Sequence, residues 1–195
     1  DSLLTIRKSR KYTDSVDAKN NKFKVWDILM GYDYKNTFKK YSFDYKGLLN
    51  ITSLSFNTVQ GFNFDSGFFF FIWDEEKGTN TSISTTFNYG FSDERFRITG
   101  DFSHRFNNIN YATIWASGGT KTAQFNGAEP ITKFVNSISS LFFKDNYMKL
   151  YNLEFAQINY AQDVANGINL NAKVGYEQRK PLFNTTDDSV FKKDD

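Results

Sequence analysis

Two long segments near the middle of the chain alternate strictly between apolar and polar side chains. Residues 81–91 and 96–106 each run for eleven positions and are separated by the four polar residues SDER. Period-two alternation of this length is typical of β-strands with water on one side only. Ordinary globular strands have about 5–6 residues, whereas a transmembrane β-strand needs about 9–11 because it crosses the bilayer at a tilt. The pattern therefore predicts a hairpin of a membrane β-barrel.

The apolar side of this hairpin is predicted to contact lipid, and the charged side to face the lumen. No acidic or permanently cationic side chain falls on the apolar side, where Arg or Lys at the bilayer midplane costs about 2–4 kcal/mol. With residues 92–95 as the loop, Phe91 pairs with Phe96 and Phe87 with Gly100. The predicted lipid-facing residues are Ile83, Phe87, Tyr89, Phe91, Phe96, Ile98, Phe102 and Phe106. The predicted lumen-facing residues are Arg97, Asp101 and Arg105.

A second hairpin is predicted around the three-residue loop 165–167, in which Gly167 supplies a left-handed conformation. The predicted cross-strand pairs are Val164–Ile168, Gln162–Leu170, Tyr160–Ala172, Ile158–Val174 and Ala156–Tyr176. The return strand is predicted to turn four residues to lipid: Ile168, Leu170, Val174 and Tyr176. Its predicted lumen-facing residues are Lys173, Glu177 and Arg179. A soluble barrel core would not tolerate this polar inner side, but a water-filled or polar-packed lumen would.

The rest of the chain is divided at about residue 24. Residues 1–24 hold seven Lys or Arg against three Asp and lack the alternation, so they predict a charged helix or linker in the periplasm. Residues 25–195 are predicted to be an outer-membrane β-barrel segment, incomplete at both ends. Further strands are predicted over 25–34, 41–49, 52–64 and 67–73, the last two either separate or joined as one strand kinked near Gly61 or Gly67.

One stretch has a helical period instead. Apolar residues recur at helical spacing over residues 131–143, after Pro130 as a start signal. We predict a short amphipathic helix over residues 132–143. It would cap the barrel mouth, enter the lumen or lie at the bilayer surface. The simplest alternative, which we favour, is an ordinary connector packed by its apolar stripe.

The composition offers little chemistry. The chain has no cysteine, which excludes thiol catalysis and disulfide scaffolds. Its one histidine, His104, falls on the apolar side of the hairpin, and no residue cluster has metal-ligand spacing. We therefore predict no enzymatic activity, no catalytic residues, no metal and no cofactor. Basic residues are dispersed among the aromatics, which argues against nucleic-acid binding.

Several longer segments carry a family resemblance. They are FNTVQG (56–61), YGFSDERF (89–96), SGG (117–119), QFN (124–126), EPI (129–131), NSISSLFFKDNYMKLY (136–151), GYEQRKPLFNTT (175–186) and the N-terminal residues 1–21. These resemble outer-membrane proteins of Bacteroidota that have a carboxypeptidase-regulatory-like N-terminal domain followed by a barrel region of unknown function. The resemblance covers nearly the whole chain. It implies an all-β outer-membrane barrel with a sandwich domain upstream, and no catalytic residues.

From this evidence we expect a non-catalytic component of an outer-membrane protein assembly in a Gram-negative cell. Its expected partners are outer-membrane lipids and other outer-membrane or periplasmic proteins. Two alternatives stay open. A pore or transport channel with a polar lumen predicts ion conductance, and a soluble secreted β-sandwich that binds glycans predicts solubility without detergent.

Overall fold

The structure, a computed structural model, describes residues 9–49, 53–125, 131–143 and 146–186. In these residues the elements are α1 (Arg10–Asn20), α2 (Asp27–Met30), β1 (Tyr32–Asn36), β2 (Tyr41–Tyr45), β3 (Leu54–Asn57), β4 (Gly61–Asp74), β5 (Thr79–Gly90), β6 (Arg95–Arg105), β7 (Thr113–Gln124), α3 (Lys133–Phe143), β8 (Leu150–Ala165) and β9 (Ile168–Pro181). Parts of the predictions lie outside the described residues, namely residues 1–8, 52, 126–130 with the helix start signal Pro130, 144–145 and 187–195.

All strands of the described residues belong to one antiparallel sheet. Its order is β1-β2-β4-β5-β6-β7-β8-β9, and β3 pairs with β4 beside β2. β2 pairs with the second half of β4 and β3 with the first half. Among the described residues β1 and β9 lie at opposite ends of this order and do not pair with each other. The predicted all-β antiparallel class is confirmed, and the sheet is open, not closed into a barrel.

The β5–β6 hairpin has the predicted faces with a different register. Tyr89 pairs with Phe96, Phe87 with Ile98 and Thr85 with Gly100, so each partner is displaced by two residues from the prediction. The turn covers residues 91–94, where Glu94 adopts a positive φ of 51° and the Asp93 carboxylate accepts the Arg95 N–H at 3.4 Å. This local turn chemistry was missed. Because a shift of two residues leaves each side chain on its original face, the predicted sides survive.

The β8–β9 hairpin matches its prediction except at the turn. The predicted pairs from Gln162–Leu170 to Ala156–Tyr176 are confirmed. The pair Val164–Ile168 is wrong, because Ala165 pairs with Ile168 and the register shifts between Asp163 and Ala165. Gly167 has the expected left-handed conformation, with φ of 78°. The extra residue forms a bulge that relieves the tight turn.

The four predicted strands near the N-terminus all differ in extent from the observed ones. The strand over 41–49 already ends at Tyr45, and the strand over 67–73 is the second half of the longer β4. The strand over 25–34 begins only at Tyr32, because the Asp27 carboxylate accepts the Lys24 N–H at 2.6 Å and α2 follows. The segment 52–64 folds back on itself as β3 and β4. The Asn57 side chain accepts the N–H groups of Val59 and Gln60 at 3.0 and 2.8 Å, which closes this turn.

Helix α1 covers part of the outer edge of β1. The Asn21 side chain, just after the helix, donates to the Lys35 carbonyl at 2.7 Å and accepts the Lys35 N–H at 3.0 Å. Asp17 accepts the backbone N–H and the hydroxyl of Thr37 at 2.6 and 2.9 Å. A side chain thus replaces a neighbouring strand at this position, which is a common way to protect an edge. Within the charged helix or linker predicted for residues 1–24, Arg10–Asn20 is helical.

Candidate functional site: two sheet faces and a buried polar network

One face of the sheet is apolar across all eight strands of the main order. The cross-strand pairs align one continuous row of residues on it: Tyr34, Phe43, Phe70, Ile83, Phe102, Ala116, Ile158 and Val174. Ile83, Phe102, Ile158 and Val174 are exposed. We call this side of the sheet the apolar face. In a water-soluble domain such a face is normally covered by a second layer.

The residues predicted to face lipid lie on or beside the apolar face. Those within β5, β6 and β9 are Ile83, Phe87, Tyr89, Phe96, Ile98, Phe102, Ile168, Leu170, Val174 and Tyr176. Phe91 lies in the β5–β6 turn and Phe106 directly follows β6. Phe87 and Tyr89 are half-buried by ring contacts, while the other ten are exposed. Contact with lipid itself stays a prediction.

The residues predicted to face the lumen lie on the opposite face but do not form one charge ladder. Arg179 pairs with Glu177, and Asp101 accepts the Ser84 hydroxyl at 3.2 Å. The Arg105 guanidinium lies over the Tyr111 ring, 5.7 Å from its centre. Lys173 lies on exposed β9. Arg97 is separate from these residues and is almost completely buried. Their exposure to a lumen stays a prediction.

Arg97 is held by two polar side chains. Its Nη2 donates to the Asp93 carboxylate and its Nε donates to Asn152 Oδ1 at 3.1 Å. The Arg97 and Asp93 side chains are 1% and 5% exposed. Nη1 is also buried and has no hydrogen-bond partner among the described residues. Because an isolated buried charge is very costly, Asp93 and Asn152 are what make this position possible.

Next to Arg97, a chain of hydrogen bonds joins four strands, a turn and a helix. Gln60 Nε2 donates to Asn88 Oδ1 at 2.6 Å, and Gln60 Oε1 accepts from Asn57 at 3.2 Å and from Thr122 at 3.5 Å. Asn88 in turn donates to Asp65 at 2.8 Å, and Asp65 pairs with Lys133 of α3. We call the following nine residues the polar network: Asn57, Gln60, Asp65, Asn88, Asp93, Arg97, Thr122, Lys133 and Asn152.

The polar network lies where the β3–β4 turn meets the beginning of β8. Val59 packs there against Met148 and Leu150 in a small apolar cluster. The Thr185 hydroxyl donates to the Val59 carbonyl at 2.7 Å, and the Thr185 N–H donates to the Thr58 carbonyl at 2.8 Å. One end of the sheet is therefore held together by these contacts, although β1 and β9 are not paired with each other. The sequence pattern did not predict the role of Gln60, because the alternation favours a strand over residues 52–64. The available signal was Asn57 three residues before Gln60, since an asparagine at that spacing can close a turn.

Helix α3 packs by its polar side, so the favoured interpretation of an apolar stripe packed inward is wrong. Asn136 and Ser140 are almost completely buried, and the Asn136 Oδ1 accepts the N–H groups of Tyr147 and Met148 at 2.9 and 3.2 Å. Phe134 and Val135 are 68% and 52% exposed. The extent of the helix is confirmed to within one residue, and the Thr132 hydroxyl caps it by accepting the Val135 N–H at 3.2 Å.

The sequence has a single histidine, His104. His104 forms a 2.8 Å hydrogen bond with Thr81 and packs edge-on against Phe106, on the apolar face. Between residues 9 and 186, over the described ranges, no group of three His, Cys, Asp or Glu residues is arranged to hold a metal ion. None of the described helices is long and apolar enough to span a bilayer.

Comparison with known proteins places the chain in one family. A sequence model described as the C-terminal domain of a family of unknown function, DUF5686, matches residues 26–195. The chain belongs to this family. No curated protein and no solved structure matches it. The match to the DUF5686 C-terminal domain begins just before α2 and includes the whole sheet, the polar network and α3.

Proposed function

We propose that this DUF5686 domain is a non-catalytic β-barrel region of the cell outer membrane and a component of an outer-membrane protein assembly. The observation that carries the proposal is its reversed polarity. Of the seven most completely buried side chains in the described residues, six are polar: Gln60, Asn63, Ser66, Arg97, Asn136 and Ser140. Water-soluble domains bury aliphatic and aromatic residues instead. A polar inside and an apolar outside is the arrangement of an outer-membrane barrel.

Strand length supports the same environment. Strands β4 to β9 have between 11 and 16 residues. About 9–11 residues are needed for a tilted strand to cross a bilayer. The alternative of a soluble glycan-binding sandwich needs a second sheet over the apolar face, and the described strands all belong to a single sheet. A single-layer sheet with these exposed aromatic residues would be unfavourable in water, whereas contact with lipid would cover them.

The sheet needs additional strands if it is to close into a barrel. Hydrocarbon offers no hydrogen bonds, so a membrane-spanning sheet must close and leave no edge. In the described part of the chain, the outer side of the 14-residue β9 pairs with no strand, whereas β1 has five residues and is partly covered by α1. We propose that further strands complete the barrel, and that they belong to a longer polypeptide that also carries the regulatory-like sandwich domain implied by the resemblance. The other proposed partners are outer-membrane or periplasmic proteins.

A two-step experiment tests this proposal. Membranes of cells producing the tagged full-length protein are separated by density and extracted with salt, carbonate or detergent, and the detergent extract is then used for affinity capture. We expect the protein in outer-membrane fractions, release only by detergent, and recovery of the same additional proteins in repeated captures. An unrelated outer-membrane barrel with the same tag is the control for nonspecific capture.

The alternatives give different results. Release without detergent would contradict the membrane assignment and favour the soluble sandwich. Capture of the protein alone would contradict the assembly role. If the protein captured alone also gave ion conductance in planar bilayers, the channel interpretation would replace the assembly role.

A further inference from the structure

Helix α3 has the opposite orientation from an ordinary surface helix. Its polar side is attached to the sheet, and its outward side is formed by apolar residues: Phe134, Val135, Ile138, Leu141 and Phe142. Leu141 is half-buried, and the other four are exposed. A helix on a water-soluble domain turns its apolar stripe towards the core and its polar stripe to solvent. The arrangement of α3 therefore indicates a different surrounding medium on its outer side.

Specific hydrogen bonds fix this orientation. The Ser137 oxygen accepts the Phe56 N–H at 2.8 Å, and its hydroxyl lies 2.6 Å from the Lys133 carbonyl of its own helix and 3.2 Å from the Phe56 carbonyl. It therefore satisfies the Phe56 N–H of β3 at the edge that β4 leaves open. Lys133 pairs with Asp65 of β4. Eleven residues are marginal for an isolated helix in water, so tertiary contacts of this kind decide where it forms. Rotation of the apolar stripe inwards would break all of these contacts.

Residues 131–143 have the chemistry of a helix at a membrane interface. The sequence ITKFVNSISSLFF contains no acidic residue and one cation, Lys133. β3, on which the helix packs, contributes Leu54 to the apolar face, and β4 contributes Phe62; both are exposed. The helix is therefore attached to the edge of a strand pair that itself carries exposed apolar side chains. An interfacial helix buries its apolar side at the boundary between lipid headgroups and acyl chains.

We propose that α3 lies on the membrane surface, with its apolar side inserted among phospholipid acyl chains beside the strands. This inference rests on the proposed membrane location of the sheet and adds a second, helical lipid contact to it. The occupant is the phospholipid bilayer, not another protein chain. Lys133 belongs both to α3 and to the polar network, so α3 would link the polar network to the bilayer surface.

Spin labelling tests the position of α3 directly. The chain contains no cysteine, so Ile138→Cys gives a single labelled site in the domain, and Val135→Cys gives a second one. Phe102→Cys on the apolar face is the reference for lipid contact of the sheet. Glu76→Cys in the exposed β4–β5 turn is the reference for water. Each labelled protein is reconstituted in vesicles of phosphatidylethanolamine and phosphatidylglycerol. Collision rates are then measured with oxygen, which partitions into lipid, and with a water-soluble nickel chelate.

We expect the Ile138 and Val135 labels to collide several-fold more with oxygen than with the nickel chelate, as the Phe102 label does, and the Glu76 label to show the reverse. If the two α3 labels resemble Glu76 while Phe102 remains lipid-like, the α3 proposal is overturned and the membrane location of the sheet stands. If Phe102 also resembles Glu76, both fail. Labels on α3 that are immobile and inaccessible to both reagents would indicate a protein occupant, which also overturns the proposal.

Discussion

The polar network and the apolar face reverse the usual arrangement of a soluble domain, which buries apolar side chains and exposes polar ones. The network buries an arginine, a glutamine and several asparagines and connects them by hydrogen bonds. The apolar face leaves Phe96, Ile98 and Val174 uncovered, at 61%, 46% and 72% exposed. In water, the energy of folding comes mainly from burying apolar surface, and these two regions would together oppose it. This contrast supports the proposal that the domain is organised for an apolar surrounding, in which internal polar contacts hold the fold.

The largest expected effect is at the buried arginine. Replacement Arg97→Met leaves the Asp93 carboxylate buried without a countercharge, and we expect a loss of about 3–5 kcal/mol in the free energy of unfolding. The measurement is urea unfolding in detergent micelles, followed by tryptophan fluorescence. Arg95→Met is the matched control, because Arg95 lies in the same strand and is exposed. Equal stability of the two variants would mean that the network does not support the fold.

The apolar face gives the next largest effect. Val174→Arg puts a charge at the centre of β9 on the apolar face, and in lipid vesicles we expect a loss of about 2–4 kcal/mol. The control Asn171→Arg changes another exposed residue, on the opposite face of the same strand. Unfolding of both variants is measured in lipid vesicles. A soluble domain would tolerate the two changes alike, within about 0.5 kcal/mol, and that outcome would remove the contrast between the two regions.

A smaller effect is expected where the network joins the β3–β4 turn to β5 and β7. Gln60→Leu removes the side-chain hydrogen bonds to Asn57, Asn88 and Thr122, and buried polar groups left without partners cost about 1–3 kcal/mol. Unfolding of Asn171→Leu, at an exposed position of β9 on the face opposite Val174, provides the comparison. If Gln60→Leu were as stable as this control, packing alone would hold the turn.

The smallest expected loss of stability is at Ser137, and it tests how α3 is attached to β3. Ser137→Ala deletes the hydroxyl that binds the backbone of Phe56, with an expected loss of about 1 kcal/mol. Hydrogen exchange of the Phe56 amide should become faster in this variant. Ser139→Ala, two positions further along the helix, should leave that exchange rate unchanged. Unchanged exchange in both variants would show that the hydroxyl does not protect the β3 edge.

Prediction from sequence succeeded where a pattern repeats over many residues. The alternation of β5, β6 and β9 gave the correct faces, and the β8–β9 pairs from Gln162 to Ala156 are those expected. It failed where one side chain changes a turn. Asp93 and Glu94 displaced the β5–β6 register by two residues, and Asn57 folded segment 52–64 into a hairpin. Turn closure depends on single hydrogen bonds, which a periodic pattern does not reveal.

By itself, the sequence determined that this domain is built from long antiparallel strands with one apolar and one polar side, because side-chain alternation is a local property of an extended backbone. Only the tertiary structure decided that Arg97 is buried with Asp93 and Asn152, that Gln60 ties the β3–β4 turn to β5 and β7, and that α3 points its apolar side outwards. These contacts join residues far apart in the chain, and the direction in which an amphipathic helix turns depends on what lies on each side of it.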